Sequence, residues 1–350
     1  MRILSPISRL VTRRSLPRPA TQLWLLPQSH SYAVRAKTLS QPRPLFDVKS
    51  VPPLSWWEAR QQWLPPDLPA KNVFNAAGWY AQMARSDEST WKGKLQRDYG
   101  IDSYQLHWAA CLLTFSPDGG QDTEHNLLGY HMLETGSALG YAPSIVTYLC
   151  TLANRPTQRR SGAAKSTLAK HMPKLREMAQ QGNPDALFVQ GRFYETDGND
   201  DFALSCYDKA IEAGSRSGDQ FAPAPMGLAN YTNPSRWTFE DACYCGRGRI
   251  LLRKGDTVAA RDAFSFAYHE LHSLDAAEEL VKLVPAESTE RHDLLVGLAV
   301  WGSKPDYAAL VFHEWNKYLE TKDDYHLQMA SEWHHLGDSE GADFTALERS

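Results

Sequence analysis

Apolar residues recur at helical spacing along most of this chain, and the clearest stretch covers residues 183–214. Its first half places Ala186, Gly191 and Tyr194 on one face of a predicted helix. Its second half continues the pattern with Ala203, Tyr207, Ala210 and Ala213. Small residues at these spacings let two antiparallel helices approach closely. The stretch therefore predicts a helical hairpin.

A second hairpin is predicted after an irregular stretch. Ala242 and Gly246 lie on its first helix, Gly255 marks the turn, and Ala263 lies on its second helix. The distance from Ala242 to Ala276 is 34 residues, which is the period of a tetratricopeptide unit. The segment between the two hairpins, residues 215–238, is rich in Gly, Pro and Asn. It is interpreted as an insertion without helical pattern.

The same 3.6-residue period predicts further helices on both sides of the two hairpins. Their ranges are 72–84, 103–115, 122–138, 143–150, 166–181, 275–284, 291–301, 305–320 and 324–336. Near the N-terminus, a capping-box pattern at residues 55–58 predicts one more short helix that begins at Ser55. Five tryptophans between Trp56 and Trp91 indicate that this Pro-rich region is folded.

The first hairpin resembles a Sel-one-like repeat, a relative of the tetratricopeptide repeat. The resemblance is carried by Ala186, Gly191 and Tyr194, and by the segment ALSCYDKAIEAG at residues 203–214. It is clear over roughly residues 174–280. The loop between the two helices lacks the family's glycine-valine signature, so a general tetratricopeptide-like classification stays open.

The resemblance implies an all-α fold in which αα-hairpins stack into a right-handed superhelix with a concave binding groove. We expect three segments: residues 1–46 as a transit peptide and linker, residues 47–120 as a Trp- and Pro-rich helical cap, and residues 121–350 as the repeat array with the insertion at 215–238. Proteins built this way bind other proteins. The resemblance therefore implies a scaffold and names no catalytic residue or cofactor.

The composition of the N-terminal segment predicts the cellular compartment of the protein. Residues 1–46 contain no Asp or Glu and carry eight basic residues. An Arg-rich, acid-free segment is typical of a mitochondrial transit peptide, and no apolar run of secretory length follows the first arginines. Cleavage near Arg35 would remove six of the 37 basic residues and none of the 41 acidic ones, which leaves a formal charge of −10.

That acidic charge argues against DNA binding and disfavours RNA, because both depend on Lys and Arg that neutralise phosphates. No apolar run in the sequence is long enough to span a membrane, and attachment to the surface of the inner membrane stays open. Five cysteines at irregular spacing favour reduced thiols in the mitochondrial matrix. We therefore expect a non-catalytic scaffold that supports assembly or maintenance of a respiratory-chain complex.

Two alternatives stay open beside this expectation. An RNA- or ribosome-associated factor in mitochondrial gene expression is one, because Arg236 with Trp237 and Trp301 with Lys304 pair an aromatic ring with a basic residue. An unrecognised enzyme is the other, because catalytic residues can converge from distant positions in a chain.

Patterns that suggest chemistry are weak. Residues 269–272 (HELH) have three-residue rather than four-residue histidine spacing, and His334 and His335 point about 100° apart on a helix. The C-x-C at residues 243–245 lacks a second cysteine pair, and the GRGR at residues 246–249 lacks a preceding strand and a third glycine. We therefore predict no catalytic residue, no metal site and no cofactor.

One candidate binding site involves two arginines. Arg192 and Arg247 each follow a contact glycine, Gly191 or Gly246, on the first helix of a hairpin. If the hairpins are regular, both guanidinium groups project from equivalent positions and can capture carboxylates of a partner protein. The alternative is that each arginine pairs with a nearby acid of the chain itself, such as Glu195 for Arg192.

Overall fold

The structure is a computed structural model of the 350-residue chain. It describes residues 46–86, 90–115, 124–154, 162–217, 236–286, 288–301 and 304–337. Internal contacts divide the chain into residues 1–42 and residues 43–350, and the described residues all belong to the second unit. The predicted transit peptide and linker, apart from Phe46, lie outside the described residues.

The described residues are all-helical. They form fifteen α-helices and two short 3₁₀ helices, and these ranges contain no strand. The α-helices are α1 (Leu54–Glu58), α2 (Ala70–Ala84), α3 (Trp91–Tyr99), α4 (Ser103–Phe115), α5 (Glu124–Ala138), α6 (Ala142–Ala153), α7 (Gly162–Gln180), α8 (Pro184–Thr196), α9 (Asp200–Ser217), α10 (Glu240–Arg253), α11 (Thr257–His269), α12 (Leu274–Leu283), α13 (Thr289–Val300), α14 (Lys304–Thr321) and α15 (Asp324–Gly337). The expected all-α fold is confirmed.

Helices pack mainly against their neighbours in sequence. The most extensive pairs are α4 with α5, α8 with α9, α10 with α11, and α14 with α15. Helices α9 and α10, α11 and α12, and α13 and α14 then join one pair to the next. The largest cluster of buried apolar side chains extends from Phe46 to Ile250, and a second extends from Cys245 to Leu298. The core therefore lies between successive helices.

The N-terminal helices begin differently from the prediction. Helix α1 starts at Leu54 after Pro53, which makes no side-chain capping bond, so the expected cap at Ser55 is wrong. A capping box is formed upstream by Asp47 and Ser50, around a single 3₁₀ turn. Ser55 is the second residue of α1, so its own backbone N–H is one of the first-turn donors, and its side chain does not stand at the capping position.

Helix α3 was not predicted from the sequence. It buries only Leu95 of its nine residues, so the periodic apolar signal on which sequence prediction depends is nearly absent. The helix ends at Gly100, which has a φ of +66°. The N–H of Gly100 donates to the carbonyl of Gln96, and the N–H of Ile101 donates to that of Leu95. These bonds satisfy carbonyls that the end of a helix leaves free.

Each of the two central hairpins contains the same kind of close contact, between a glycine on its first helix and an aromatic ring on its second. A Cβ atom built on Gly191 of α8 would lie 2.5 Å from Cε1 of Tyr207 on α9. A Cβ atom built on Gly248 of α10 would lie 2.6 Å from Cε1 of Phe264 on α11. The ring follows its glycine by sixteen residues in both hairpins. The two contacts therefore correspond, with an offset of 57 positions.

The ring of Tyr207 also touches the next hairpin. A Cβ atom on Gly246 of α10 would lie 2.9 Å from Cε2 of this ring. Tyr207 is fully buried, and its ring lies between a glycine of α8 and a glycine of α10. Since protein interiors are close-packed, the ring has little space into which it can move if either glycine is enlarged.

We predict that Gly191→Ala destabilises the protein by about 1–3 kcal/mol, because the added methyl overlaps a ring that Gly246 blocks from the other side. Gly93→Ala on α3 is the matched control: a Cβ there meets no atom within 4 Å. This control should keep or raise stability, by up to about 1 kcal/mol, because alanine favours helix. Urea unfolding measures both, and equal stabilities would contradict the contact.

Helix α4 holds a buried histidine. Residues 106–113 are all buried, and His107 among them is 5% exposed. Its Nδ1 lies 3.2 Å from Oγ of Ser144, and its Nε2 lies 3.6 Å from Sγ of Cys111. Burial lowers the pKa of His107 to about 4. The imidazole is therefore neutral in the folded protein at pH 7, whereas an unfolded chain protonates it near pH 6.5.

We predict that His107 makes the protein less stable as the pH falls from 7 to 5. The unfolded chain binds the proton that the folded protein excludes, and the free energy of unfolding should fall by about 2 kcal/mol through this group. Urea unfolding of wild type and His107→Asn at both pH values measures the effect. The same pH response in both proteins would show that His107 is not the group responsible.

Candidate functional site

The polar network around Tyr207 contains Arg192, one of the two arginines predicted to bind a partner protein. The hydroxyl of Tyr207 donates to Oε2 of Glu195 on α8, at 2.7 Å. Burial raises the pKa of Tyr207, and the neighbouring Glu195 raises it further. The phenol therefore stays protonated and acts as a hydrogen-bond donor to the carboxylate.

Glu195 also pairs with two arginines. Its Oε2 lies 2.5 Å from Nη1 of Arg192, and its Oε1 lies 3.4 Å from Nη2 of Arg253. Arg253, at the end of α10, makes two hydrogen bonds to Asp200 at the start of α9, at 3.0 and 2.8 Å. The hydrogen bond from Arg253 lowers the pKa of Asp200. This network joins α8, α9 and α10 beside the buried ring.

Both predicted binding arginines contact partners within the chain. Arg192 donates from Nε and Nη2 to Oδ1 of Asn154 after α6, at 3.2 and 2.8 Å, in addition to its pair with Glu195. Arg247 donates from Nε to Oδ1 of Asp208 on α9, at 2.8 Å. The pairing of Arg192 with Glu195 that the sequence suggested is present. Capture of a partner by the two arginines stays a prediction.

The structure places the two arginines at different register positions. Gly248, not Gly246, corresponds to Gly191, because each of the two touches the ring sixteen residues later in its own hairpin. The counterpart of Arg192 is therefore Arg249. The expected counterpart, Arg247, lies at a different position. Arg249 lies 3.4 Å from Glu279 and 3.6 Å from Asp275 on the next helix, α12.

The predicted repeat-packing residues lie between the helices of the central hairpins or at the edge of that contact. Seven are buried: Ala186, Gly191, Ala203, Tyr207, Ala210, Gly246 and Ala263. Three are half-buried: Tyr194, Ala213 and Ala242. The buried ones include both glycines that touch Tyr207, so these small residues are where the helices approach closely.

The histidine and cysteine patterns noted in the sequence do not form a chemical site in the described residues. Helix α11 ends at His269, and His272 has a φ of +56°, so the two histidines do not share a helix face. Cys243 and Cys245 are buried, and burial raises the pKa of both thiols, that of Cys245 to about 12. Burial thus disfavours the thiolate, which is the form that acts as a nucleophile.

The aromatic and basic pairs differ in accessibility. Trp237 is fully buried, and its ring covers Gly214 of α9. Arg236 donates to the buried carboxylate of Glu240. This pair is therefore unavailable to stack on a base. Trp301 is 46% exposed at the end of α13.

A group of histidines on α13, α14 and α15 was not predicted from the sequence. His292 on α13, His313 and Glu314 on α14, and His326 on α15 come together around the buried carboxylate of Glu314. His292 precedes Glu314 by 22 residues and His326 follows it by 12, so the group spans three helices. No short motif marks such a group, so only the packing of the helices reveals it.

Comparison with protein-family models, with curated proteins and with solved structures finds no match for this chain. Within the described residues, no helix combines the length and the apolar character that a membrane span requires.

We predict that Glu195→Ala destabilises the protein by roughly 1–3 kcal/mol, because it leaves the Tyr207 hydroxyl and Arg192 without their shared partner. The Glu195 side chain is only 10% exposed. Asp208→Ala is the matched control, because it also removes one arginine partner but from a side chain that is 52% exposed. The control should change stability by less than about 1 kcal/mol. Thermal unfolding compares them, and equal losses would refute the central role of Glu195.

Proposed function

We propose that this chain is a non-catalytic scaffold that binds other proteins in mitochondria and supports assembly or maintenance of a respiratory-chain complex. The proposed architecture is a superhelix of stacked αα-hairpins of Sel-one-like or tetratricopeptide-like type. The packing of consecutive helix pairs supports it, because each pair uses its inner faces against neighbours and leaves its outer faces for partners.

The observation that carries the proposal is a row of apolar side chains on the outer face of α14. We call it the α14 row: Ala308, Phe312, Trp315 and Leu319. Phe312 is 57% exposed and Leu319 is 48% exposed, with the half-buried Trp315 between them. Large apolar side chains that line up on one exposed face mark interaction sites more often than single exposed residues do.

The α14 row fits an amphipathic helix of a partner protein. Its members are three and four residues apart, so they form one ridge along α14, about 16 Å long at 1.5 Å per residue. A partner helix with apolar residues at the same spacing can lay its own stripe along this ridge. Helices α14 and α15 are the last pair among the described residues. The apolar outer face of α14 supports a partner that packs against this pair.

The composition of residues 1–46 and the burial or pairing of candidate side chains support the rest of the proposal. The acid-free segment of residues 1–46 is the basis for mitochondrial import, and reduced buried thiols suit the matrix. The RNA-associated alternative ranks lower because Trp237 is buried and Arg236 is paired with Glu240. An enzyme ranks lower because the buried thiols are un-ionised and the central polar network is made of ion pairs between helices.

The experiment compares two double variants of the full chain. Phe312→Ser with Leu319→Ser breaks the α14 row, and Phe202→Ser with Val258→Ser changes two exposed apolar side chains outside it. Partners are cross-linked in mitochondria, identified, purified and titrated against each chain. We expect the row variant to bind at least about tenfold more weakly, as loss of an aromatic anchor does, while the control binds like wild type.

Melting temperatures of both variants, close to wild type, exclude unfolding as the cause. Equal partner binding by the two variants, or a chain that is absent from mitochondria, would contradict the proposal. Recovery that is abolished by nuclease would favour the RNA-associated alternative.

A further inference from the structure

Glu314 is the centre of a histidine cluster in the C-terminal helices. Its side chain is 6% exposed, and its two oxygens face two different helices. Oε1 lies 2.9 Å from Nε2 of His292 on α13, and Oε2 lies 2.7 Å from Nδ1 of His326 on α15. One buried carboxylate therefore connects three helices through imidazoles.

The partners of Glu314 differ from those of Glu195. A buried charge is paired with other groups or coordinates a metal ion. Glu195 follows this rule, since it pairs with two arginines. Among the described residues, the groups that bond Glu314 are both imidazoles, which are also the commonest metal ligands in proteins. Both partners of Glu314 therefore belong to a residue type that can also ligate a metal ion.

A second imidazole stands beside that of His292. The ring of His313 lies 5.0 Å from the ring of His292, centroid to centroid. One ligand atom from each of His292, His313 and Glu314 can be chosen so that all three lie within 4.8 Å of one another. Around a tetrahedral zinc ion with bonds of about 2.0 Å, ligand atoms are about 3.3 Å apart. Small rotations of partly exposed side chains close that difference.

We propose that His292, His313 and Glu314 bind a divalent transition-metal ion, with zinc as the best fit. Two imidazoles and one carboxylate are a donor set that zinc accepts, and the set leaves a fourth position for water or for a ligand from a partner. Nε2 of His292 faces Glu314 and supplies the ligand atom. Sites of hard cations such as Mg²⁺ and Ca²⁺ are built from oxygen ligands, so the imidazoles select against them.

One further side chain, His326, is a positioning residue of this site. It bonds the second oxygen of Glu314 and leaves the first for the metal, so it orients the carboxylate as an outer partner of a ligand does. Nδ1 of His292, the nitrogen away from the metal, lies 3.7 Å from Oδ1 of Asp293, beyond hydrogen-bonding distance.

The metal would join helices that otherwise meet mainly by side-chain packing. His292 belongs to α13, the other two ligands belong to α14, and His326 attaches α15. Because the metal binds the folded arrangement and not the separate helices, it stabilises the folded protein by mass action. The inference is independent of the proposed scaffold role, because it concerns the inner face of α14.

The test uses the full chain after removal of metal by a chelator and dialysis. Titration with Zn²⁺ alone, followed by calorimetry, should show one saturable site per chain, and zinc in excess should raise the melting temperature. Co²⁺ in place of zinc should give the visible absorption of a four-coordinate site with nitrogen and oxygen ligands. Absence of saturable binding of either ion would overturn the proposal.

Variants identify the ligands. His313→Ala and Glu314→Gln should each weaken zinc binding by more than about 100-fold, and Glu314→Gln keeps the size of the side chain. His326→Asn should weaken it by about 10- to 100-fold, as loss of an outer partner does, and should shift the Co²⁺ absorption without abolishing it. His335→Ala, an exposed histidine outside the cluster, is the control and should bind zinc like wild type.

Circular dichroism of each metal-free variant checks that it is folded. If a ligand variant is unfolded, the rise in melting temperature on adding zinc is compared between wild type and the folded His326→Asn chain. A smaller rise in His326→Asn supports the site, and an equal rise contradicts it. Zinc binding of equal strength in wild type, His313→Ala and Glu314→Gln would place the ion elsewhere and overturn the assignment.

Discussion

The ring of Tyr207 between Gly191 and Gly246 is the contact on which the central helices depend. Each glycine leaves room for one side of the ring, and a single methyl on either glycine would overlap it. The ring brings with it a hydroxyl that must be satisfied once it is buried. Glu195 accepts that bond, and Arg192 and Arg253 then balance the charge of Glu195. The apolar contact and the ion-pair network are thus two consequences of one buried tyrosine.

Contacts on both sides of the segment between α9 and α10 hold the chain against the first central hairpin. The ring of Trp237 covers Gly214 near the end of α9. The carboxylate of Asp185, at the start of α8, accepts from the backbone N–H of Phe239 at 3.1 Å, and burial raises its pKa to about 6. The chain therefore returns to fixed contacts on α8 and α9.

The sequence predicted what local patterns determine. Small residues at helical spacing predicted both central hairpins, and glycine predicted the turn at Gly255, which has a φ of +84°. Helix α3 was missed because only Leu95 is buried. The register of Arg247 was wrong because Gly246 and Gly248 are both contact glycines, and only the structure shows that each touches a different ring. Spacing along one helix does not say which neighbour a residue will meet.

The histidine cluster and the α14 row belong to opposite faces of one helix. Phe312 and Glu314 are two residues apart, which is about 200° around a helix. The inward face therefore carries a buried carboxylate bonded to α13 and α15, and the outward face carries exposed apolar side chains. The bonds of Glu314 fix the rotation of α14 about its axis, because turning the helix would pull the carboxylate away from both imidazoles. Whatever strengthens those bonds also holds the row in one orientation, and a rigid apolar ridge loses less entropy when a partner binds it than a mobile one does.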